Sequence, residues 1–300
     1  MTRLRRDFEL NRYAYFMVVP VVLFYGIFHY GPMYGAIIAF KDFSPGRGIW
    51  GSVWVGFDHF KVFFQSDYFF RVIRNTLLIN LYGLLFTFPV PILFALLLNE
   101  LRSARLKRVV QTISYLPHFL STMIVCGIIH DFTSRSGLIG GVMEAFGVKP
   151  DNLLNQPSLF RGIYIISDIW QHTGWSTILY IAALAAIDLE QYDAAKIDGA
   201  SRFQQIRYIT LPGIMPVVVT LLLLKIGQMM SLGFEKIILL YNPLTYETAD
   251  VISSFVYRKG LLEFSYGYST AVGLFNSTIN FTLIVAANRL SRSINETSLW

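Results

Sequence analysis

Charged residues are scarce in this 300-residue chain. Only 15% of its residues are Asp, Glu, Lys or Arg, against about 25% in soluble domains. Hydrophobic residues make up 54%, and the mean hydropathy is +0.49. Apolar runs of roughly 20 residues recur, each long enough to cross about 30 Å of hydrocarbon. We therefore predict an integral membrane protein whose solvent is the lipid bilayer.

Cysteine and catalytic motifs are nearly absent as well. Cys126 is the only cysteine, so the chain forms no internal disulfide and offers no cysteine-based zinc site. The sequence contains no G-x-x-x-x-G-K-[ST] phosphate loop, and its histidines do not have the H-E-x-x-H spacing of a zinc site. We accordingly expect no enzymatic activity, no ATP site, no metal and no cofactor in this chain.

The net charge of +6 raises the question of nucleic acid binding. Lys and Arg, however, stand in short clusters beside the apolar runs, as membrane topology requires. We therefore expect no nucleic acid partner. The cluster from Arg102 to Arg108, together with the basic N-terminus, predicts that both termini are cytoplasmic.

Six apolar runs predict six membrane-spanning helices and an all-α fold. Each run is continuous rather than alternating, which favours helices over a β-barrel. The runs are 15–40, 76–98, 113–130, 162–185, 213–234 and 268–287. We expect a cytoplasmic segment 1–14, a transmembrane domain 15–287 and a cytoplasmic tail 288–300. No small-residue cleavage site follows the first run, which indicates an uncleaved span rather than a signal peptide.

The polar segment between the fourth and fifth runs predicts two short helices joined at a glycine. Asp188 with Gln191, and Ser201 with Gln204, have the spacing of capping boxes that begin helices. Gly199 lies between the two pairs and suits the left-handed residue that ends a helix. The segment is therefore expected to be a helix, a glycine turn and a second helix.

One face of this segment is predicted to be apolar and small, so that a partner could approach closely. Its residues recur at spacings of three and four: Tyr192, Ala195, Gly199, Phe203 and Ile206. A helix break is expected at Leu211-Pro212, where the next span begins. An ordinary cytosolic loop or a DNA-reading helix-turn-helix would share this pattern, but membrane spans on both sides make DNA readout a poor fit.

The same segment resembles the EAA loop of the permease subunits of type I ATP-binding-cassette importers. The pattern is Asp193-Ala-Ala-x-x-Asp198-Gly199-Ala200, followed by Ile209-x-Leu211-Pro212. Asp193 stands where that family usually has glutamate. The resemblance implies a coupling loop, 188–212, that contacts a separate ATPase through Asp193, Ala194, Ala195, Asp198, Gly199, Ala200, Leu211 and Pro212.

Other motifs are similar to the oligosaccharide and polysaccharide branch of these permeases, the LplB-like or MalF-like subunits. They include Gly31-Pro-Met-Tyr-Gly35, Tyr241-Asn-Pro243 and Ala271-Val-Gly273. The branch implies a MetI-like fold of six helices, a second homologous permease, two ATP-binding subunits and an extracellular or periplasmic solute-binding protein. It also implies a saccharide substrate, and carriers of acidic polysaccharides such as alginate belong to it.

Two alternatives come from other classes. An ion-driven secondary sugar transporter commonly shows inverted repeats, and no internal repeat is visible in this sequence. A membrane-embedded enzyme would need a convergent catalytic set, which the sequence does not display.

Polar and aromatic residues inside the spans are candidates for the transport pathway, because polar groups in hydrocarbon are costly and tend to face a wet cavity. Hydrogen bonding and stacking to sugars select Trp170, His172, Trp175, Lys225, Gln228, Asn276 and Asn280. The same side chains could instead hold helices together. No residue near Lys225 in the sequence neutralises it, so Lys225 either extends to the membrane surface, which is awkward so far inside a span, or faces a cavity, where it would attract the substrate if that is an acidic saccharide.

Overall fold

The computed structural model describes residues 3–149, 151–230 and 233–295, and most of these residues are helical. The predicted all-α fold is therefore confirmed. The chain divides into two units, one formed by residues 1–66 and 258–274 and the other by residues 67–257 and 275–300.

The first unit begins with a long apolar helix. It starts as α1 (Arg3–Tyr25) and continues through a π turn (Gly26–Tyr30), the single turn α2 (Gly31–Met33) and a 3-10 helix (Tyr34–Phe40). Together, Leu10–Phe40 form a 31-residue candidate span, and none of its most apolar stretch is buried in the single chain. Such exposure suits a helix that contacts lipid or another subunit.

A folded loop follows this helix in the first unit. It contains β1 (Lys41–Asp42), α3 (Gly48–Gly51), β2 (Val53–Trp54) and α4 (Asp58–Gln65), and the two strands pair antiparallel. Gly48 has a φ of +65°, a conformation that glycine adopts without strain. The Lys41 ammonium donates to the carbonyl of Ile49 at 2.7 Å. The loop is therefore held by its own contacts rather than being a flexible linker.

The second unit is a helical assembly. Its helices are α5 (Tyr68–Tyr82), α6 (Pro89–Glu100), α7 (Ala104–Tyr115), α8 (Thr122–Thr133), α9 (Leu138–Ala145), α10 (Pro157–Ala185), α11 (Leu189–Ile197), α12 (Arg202–Gln205), α13 (Leu211–Gly227), α14 (Phe234–Leu240), α15 (Tyr246–Ala249) and α16 (Ile252–Tyr257). Residues 275–295 of α17 (Tyr266–Asn295) complete it.

Helix α10 lies at the centre of this unit, in contact with α5, α6, α7, α13 and α15. Near its N-terminus it buries Phe160 and Tyr164 in a core shared with α8 and α14. Near its C-terminus, Tyr180 and Leu184 pack with Ala95 of α6 and Ile214 of α13. Two separate apolar clusters thus hold the two ends of α10, and the more polar middle of the helix lies between them.

Within the described residues, four helices are long and apolar enough to cross a membrane: Leu10–Phe40, Tyr68–Glu100, Arg202–Gly227 and Tyr266–Arg289. A fifth candidate is the pair Ala104–Phe119 and Thr122–Ala145, which is bent by 99°. Helix α10, the predicted fourth span, is not among them. It has 29 residues, about 43 Å at 1.5 Å per residue, but it carries Asp168, Gln171 and His172 near its middle.

The predicted third span, 113–130, is wrong as a single straight helix. The chain turns through a 3-10 segment (Leu116–Phe119) and becomes extended at Leu120. Ser121 then caps α8 by accepting a hydrogen bond from the backbone N–H of Ile124 at 3.3 Å. The proline in the 3-10 segment ends one helix, and the serine cap begins the next one within the same apolar run. Hydropathy alone does not detect this change.

The predicted break at Leu211-Pro212 is also wrong, because a continuous helix runs from Arg202 to Gly227. In three places a π turn ends two residues before a proline: Gly26–Tyr30 before Pro32, Gly83–Thr87 before Pro89 and Ile206–Thr210 before Pro212. The proline ring crowds the carbonyl four residues earlier. Hydrogen bonds that reach back five residues relieve this crowding, so the helix passes the proline without breaking.

Candidate functional site

Two neighbouring cavities lie beside the middle of α10 in the second unit. Their volumes are about 520 and 270 Å³, against roughly 300–1,000 Å³ for small-molecule sites. Asp168, His172 and Lys225 line both spaces. The two cavities therefore meet at these three side chains and are described below as one polar cavity with a larger and a smaller part.

The structure brings four of the predicted pathway residues to the polar cavity. His172 and Lys225 line both parts, Trp175 lines the larger part and Gln228 the smaller. They come from α10 and from the end of α13, which pack against each other. Because the two helices pack together, predicted pathway residues that are far apart in the chain line the same cavity.

The other three predicted pathway residues lie elsewhere. Trp170 lines a separate, wholly apolar cavity beside α8. Asn280 accepts a hydrogen bond from the backbone N–H of Met230 at 2.8 Å and so holds the turn that follows α13. The side-chain oxygen of Asn276 is buried and has no hydrogen-bond partner among the described residues. Helix contacts, the alternative considered for such residues, describe Asn280 best.

Trp175, which lines the larger part, packs against two aromatic residues of the bent segment. Its ring stacks on His118 with 4.6 Å between ring centroids and 5° between planes. Phe119 meets the same indole edge-on at 5.5 Å. Because both neighbours come from the 3-10 turn that follows α7, the bend that the sequence did not predict positions the Trp175 ring.

Asp168 and Lys236 give the cavity charges that were not among the predicted pathway residues. The carboxylate of Asp168 lies 3.1 Å from Nδ1 of His172 and 3.6 Å from the ammonium of Lys236. Lys236 belongs to α14 and lies just beyond the predicted fifth span, 213–234. Its side chain is only 8% exposed, and its ammonium lies 5.1 Å above the ring of Tyr164.

The segment with the EAA-like pattern has the predicted helix–glycine–helix form. Asp188 caps α11, although it accepts from the backbone N–H of Glu190 (3.0 Å) rather than that of Gln191. Gly199 has a φ of +77°, the left-handed conformation expected at a helix end. Ser201 and Gln204 form the predicted capping box at the start of α12.

The predicted apolar face of this segment is only partly exposed. Tyr192, Ala195 and Ile206 are half-buried, whereas Phe203 is 74% exposed. Ile197, which lies outside the predicted face, is 87% exposed. Of the predicted coupling residues, Ala195, Ala200 and Leu211 are half-buried, and the exposed ones are Asp193, Ala194, Asp198, Gly199 and Pro212.

Two polar contacts tie the segment to the helices beside it. The hydroxyl groups of Tyr192 and Thr210 are hydrogen-bonded at 2.9 Å, which joins α11 to the π turn before α13. Arg202 at the start of α12 forms an ion pair with Glu100 at the end of α6, with 3.3 Å between charged atoms. The segment is therefore exposed on one side and fixed on the other.

Residues 87–296 match the model of a family described as the binding-protein-dependent transport system inner membrane component. The chain belongs to this family. It is 44% identical over 301 residues to protein LplB of Bacillus subtilis, covering 100% of this chain and 93% of that one. It is also 44% identical to the polygalacturonan/rhamnogalacturonan transport system permease YteP of the same organism, covering 97% and 91%.

Solved structures agree with this family assignment. The crystal structure of a bacterial ABC transporter involved in the import of the acidic polysaccharide alginate matches with a TM-score of 0.91 and 44% identity, over 98% of this chain and 99% of that one. A bacterial alginate ABC transporter in complex with an alginate pentasaccharide-bound periplasmic protein gives a TM-score of 0.92 at 43% identity, over 99% and 100%.

The expectation of an importer permease from the polysaccharide branch is confirmed by these matches, as is the MetI-like class of fold. This inner-membrane transport component is thus a multi-pass membrane protein. The alternative of an ion-driven secondary transporter finds no support in them.

Proposed function

We propose that this chain is the transmembrane permease subunit of an ATP-binding-cassette importer for oligo- or polysaccharides. In this function it forms one half of the translocation pathway and carries no ATPase activity of its own. The observation that carries the proposal is the exposed, glycine-hinged helix pair α11–α12, joined without interruption to a helix that ends at a polar cavity. This arrangement connects the surface on which an ATPase would bind to the cavity in which a solute would bind.

The coupling segment would act as a lever. Asp193, Ala194 and Ala195, together with Asp198, Gly199 and Ala200, would contact a groove of the ATPase subunit. The helix from Arg202 to Gly227 has 26 residues, about 39 Å, and Lys225 lies near its far end. A displacement of α11–α12 would therefore move a cavity-lining side chain. The ATPase can drive this switch only if its contacts differ between two states of the permease.

Six spans with both termini in the cytoplasm fit this function. The five candidates by hydropathy, counting the bent pair once, become six when the central and more polar α10 is added. The ion pair between Arg202 and Glu100 puts the coupling segment at the same end of α6 as the basic cluster 102–108. Basic residues beside spans favour the cytoplasmic side, which is the side of an ATPase.

The partners follow from the same function. We assign to this chain a second homologous permease, two ATP-binding subunits and an extracellular or periplasmic solute-binding protein. The exposed apolar helix Leu10–Phe40 supports contact with a second permease or with lipid. The relatives named above are described with alginate and with polygalacturonan. Lys225, in a cavity walled by Trp175, supports an acidic saccharide as substrate.

Substitution of Gly199 tests the coupling role. A β-branched residue is strained at a φ of +77°, so Gly199→Val should abolish ATP-driven saccharide uptake while membrane insertion is preserved. Gly199→Asn is the matched control, because asparagine tolerates the left-handed region, and it should retain most of the uptake. Measurement requires the complete importer in proteoliposomes.

Two results would contradict the proposal. Full uptake by Gly199→Val would remove the coupling role. Saccharide uptake by the purified chain without any associated ATPase would indicate a secondary transporter instead.

A further inference from the structure

Lys236 is a buried cation whose hydrogen-bonding capacity is largely unused. Its side chain is 8% exposed, and its ammonium has no hydrogen-bond partner among the described residues. An ammonium carries three donors, and a charge buried without hydrogen bonds is costly. Such a group inside a membrane protein marks a pathway or a binding site more often than a structural contact.

The anion nearest to Lys236 does not satisfy it. The carboxylate oxygen of Asp168 lies 3.6 Å from the Lys236 ammonium, beyond hydrogen-bonding distance, and 3.1 Å from Nδ1 of His172. The same Asp168 oxygen is therefore shared between His172 and Lys236, and its contact with His172 is the shorter one. The Tyr164 ring, 5.1 Å from the ammonium, adds a cation–π attraction but no oxygen acceptor. Lys236 is left facing the smaller part of the polar cavity.

A second cation lines the same space. Lys225 contributes to both parts of the cavity, and Lys236 to the smaller part. The carboxylates there are Asp168, which is shared with His172, and Glu235, which is exposed. An incoming carboxylate would meet two ammonium groups, the Asp168 carboxylate already engaged by His172 and, on the exposed side, Glu235, whose charge water screens. A neutral hydroxyl would offer each ammonium a weaker acceptor.

We propose that Lys236 and Lys225 form a subsite for the carboxylate of an acidic sugar unit, with Asp168 as the internal carboxylate that substitutes for it when the cavity holds no sugar. This subsite rests on the proposed function. The sugar ring would lie towards the larger part, where Trp175 provides an aromatic face. Entry of the substrate carboxylate would replace the long contact between Lys236 and Asp168 with a full hydrogen bond.

The test compares a charged sugar with its neutral ester. The complete importer, with its partner permease, ATPase subunits and binding protein, is reconstituted in proteoliposomes. ATP-driven uptake is measured for trigalacturonate, for its methyl ester and for an alginate trisaccharide. Lys236→Gln should lower the preference for the charged probes over the ester by about tenfold to 100-fold, as expected for a lost hydrogen bond to a charged group. Lys61→Gln removes an exposed lysine paired with Asp58 and should leave the preference unchanged.

A neutralised pair separates recognition from folding. Lys236→Gln alone leaves Asp168 without its lysine and could disturb the fold, whereas Asp168→Asn with Lys236→Gln removes both charges. If Lys236 binds substrate, the double variant transports the ester but still lacks the preference for the charged probes. A wild-type preference in the double variant overturns the proposal, because Lys236 would then only neutralise Asp168. Asp168→Asn alone should lower the KM for the charged probes, since the internal competitor is gone.

Failure of the subsite differs from failure of the function. ATP-driven uptake of the ester or of a neutral oligosaccharide, with no uptake of either charged probe, overturns the subsite and leaves the permease intact. Loss of any ATP dependence overturns the proposed function itself.

Discussion

Replacement of Gly174 by alanine should disrupt the packing of α7 against α10. A methyl group at residue 174 would lie 2.1 Å from the carbonyl oxygen of Ser114 and 2.4 Å from its carbonyl carbon. Carbon and oxygen atoms in contact are normally well over 3 Å apart. Because the opposing atoms are backbone, no side-chain rotation relieves the clash, and the two helices must separate by about 1 Å.

The magnitude follows from opposing effects. Alanine is intrinsically better than glycine in a helix by about 1 kcal/mol. Overpacking of a tight contact costs about 1–3 kcal/mol, and a gap of 0.5–1 Å already forfeits roughly a quarter to a half of each dispersion contact. Close approach of backbones at small residues is also a main source of helix association in membranes. We therefore expect a net loss of up to about 2 kcal/mol for Gly174→Ala.

Gly162, in the same helix, provides the matched control. A methyl group there meets no atom within 4 Å, so Gly162→Ala should be neutral or stabilising by up to about 1 kcal/mol. Both variants are compared with the wild type in the assembled importer by thermal unfolding in detergent. Gly174→Ala should have the lower midpoint and also reduced uptake, because Trp175 beside it lines the cavity. Equal midpoints for the two variants would refute the close approach of α7 and α10.

Two further substitutions test polar contacts. Asn75→Ala removes hydrogen bonds to two backbone carbonyls of the α15–α16 segment (2.9 and 3.0 Å) and the acceptor of the Arg161 guanidinium (2.8 Å). It should destabilise the importer by about 2–4 kcal/mol in thermal unfolding, and a change as small as that of Asn99→Ala, at an exposed residue of α6, would contradict this role. Tyr192→Phe removes the 2.9 Å hydrogen bond to Thr210 and should lower the sugar transported per ATP hydrolysed while ATPase assembly persists. An unchanged ratio of sugar transported to ATP hydrolysed would show that coupling does not depend on this hydrogen bond.

The segment 188–212, which we propose as the contact with an ATPase, shows how much local sequence can predict. Ser201 and Gln204 form a capping box, and Gly199 adopts a left-handed conformation, as their spacing predicts. Caps and glycine turns depend on residues within one helical turn of each other, so no tertiary information is needed. The predicted helix break at Pro212 is wrong, because the sequence around a proline looks the same whether the helix breaks there or continues through a π turn.

The cavity shows where sequence prediction stops. His172, Trp175, Lys225 and Gln228 could be selected as polar or aromatic residues in apolar runs, but the same rule selected Trp170, which lies at an apolar cavity. Which side of a helix faces a cavity depends on its neighbours. In α10 those neighbours are several helices distant in the chain.

Sequence by itself determined that this is a helical membrane protein with a capped, glycine-hinged segment between two spans, because composition, run length and helix caps act over short distances. Only the tertiary structure decided that Lys236, which lies outside the predicted spans, is 3.6 Å from Asp168 in α10. The physical reason is that the distance between two charges depends on how the chain folds back between them. The short distance in space between α13 and α14 at the cavity leaves no periodic pattern in the sequence.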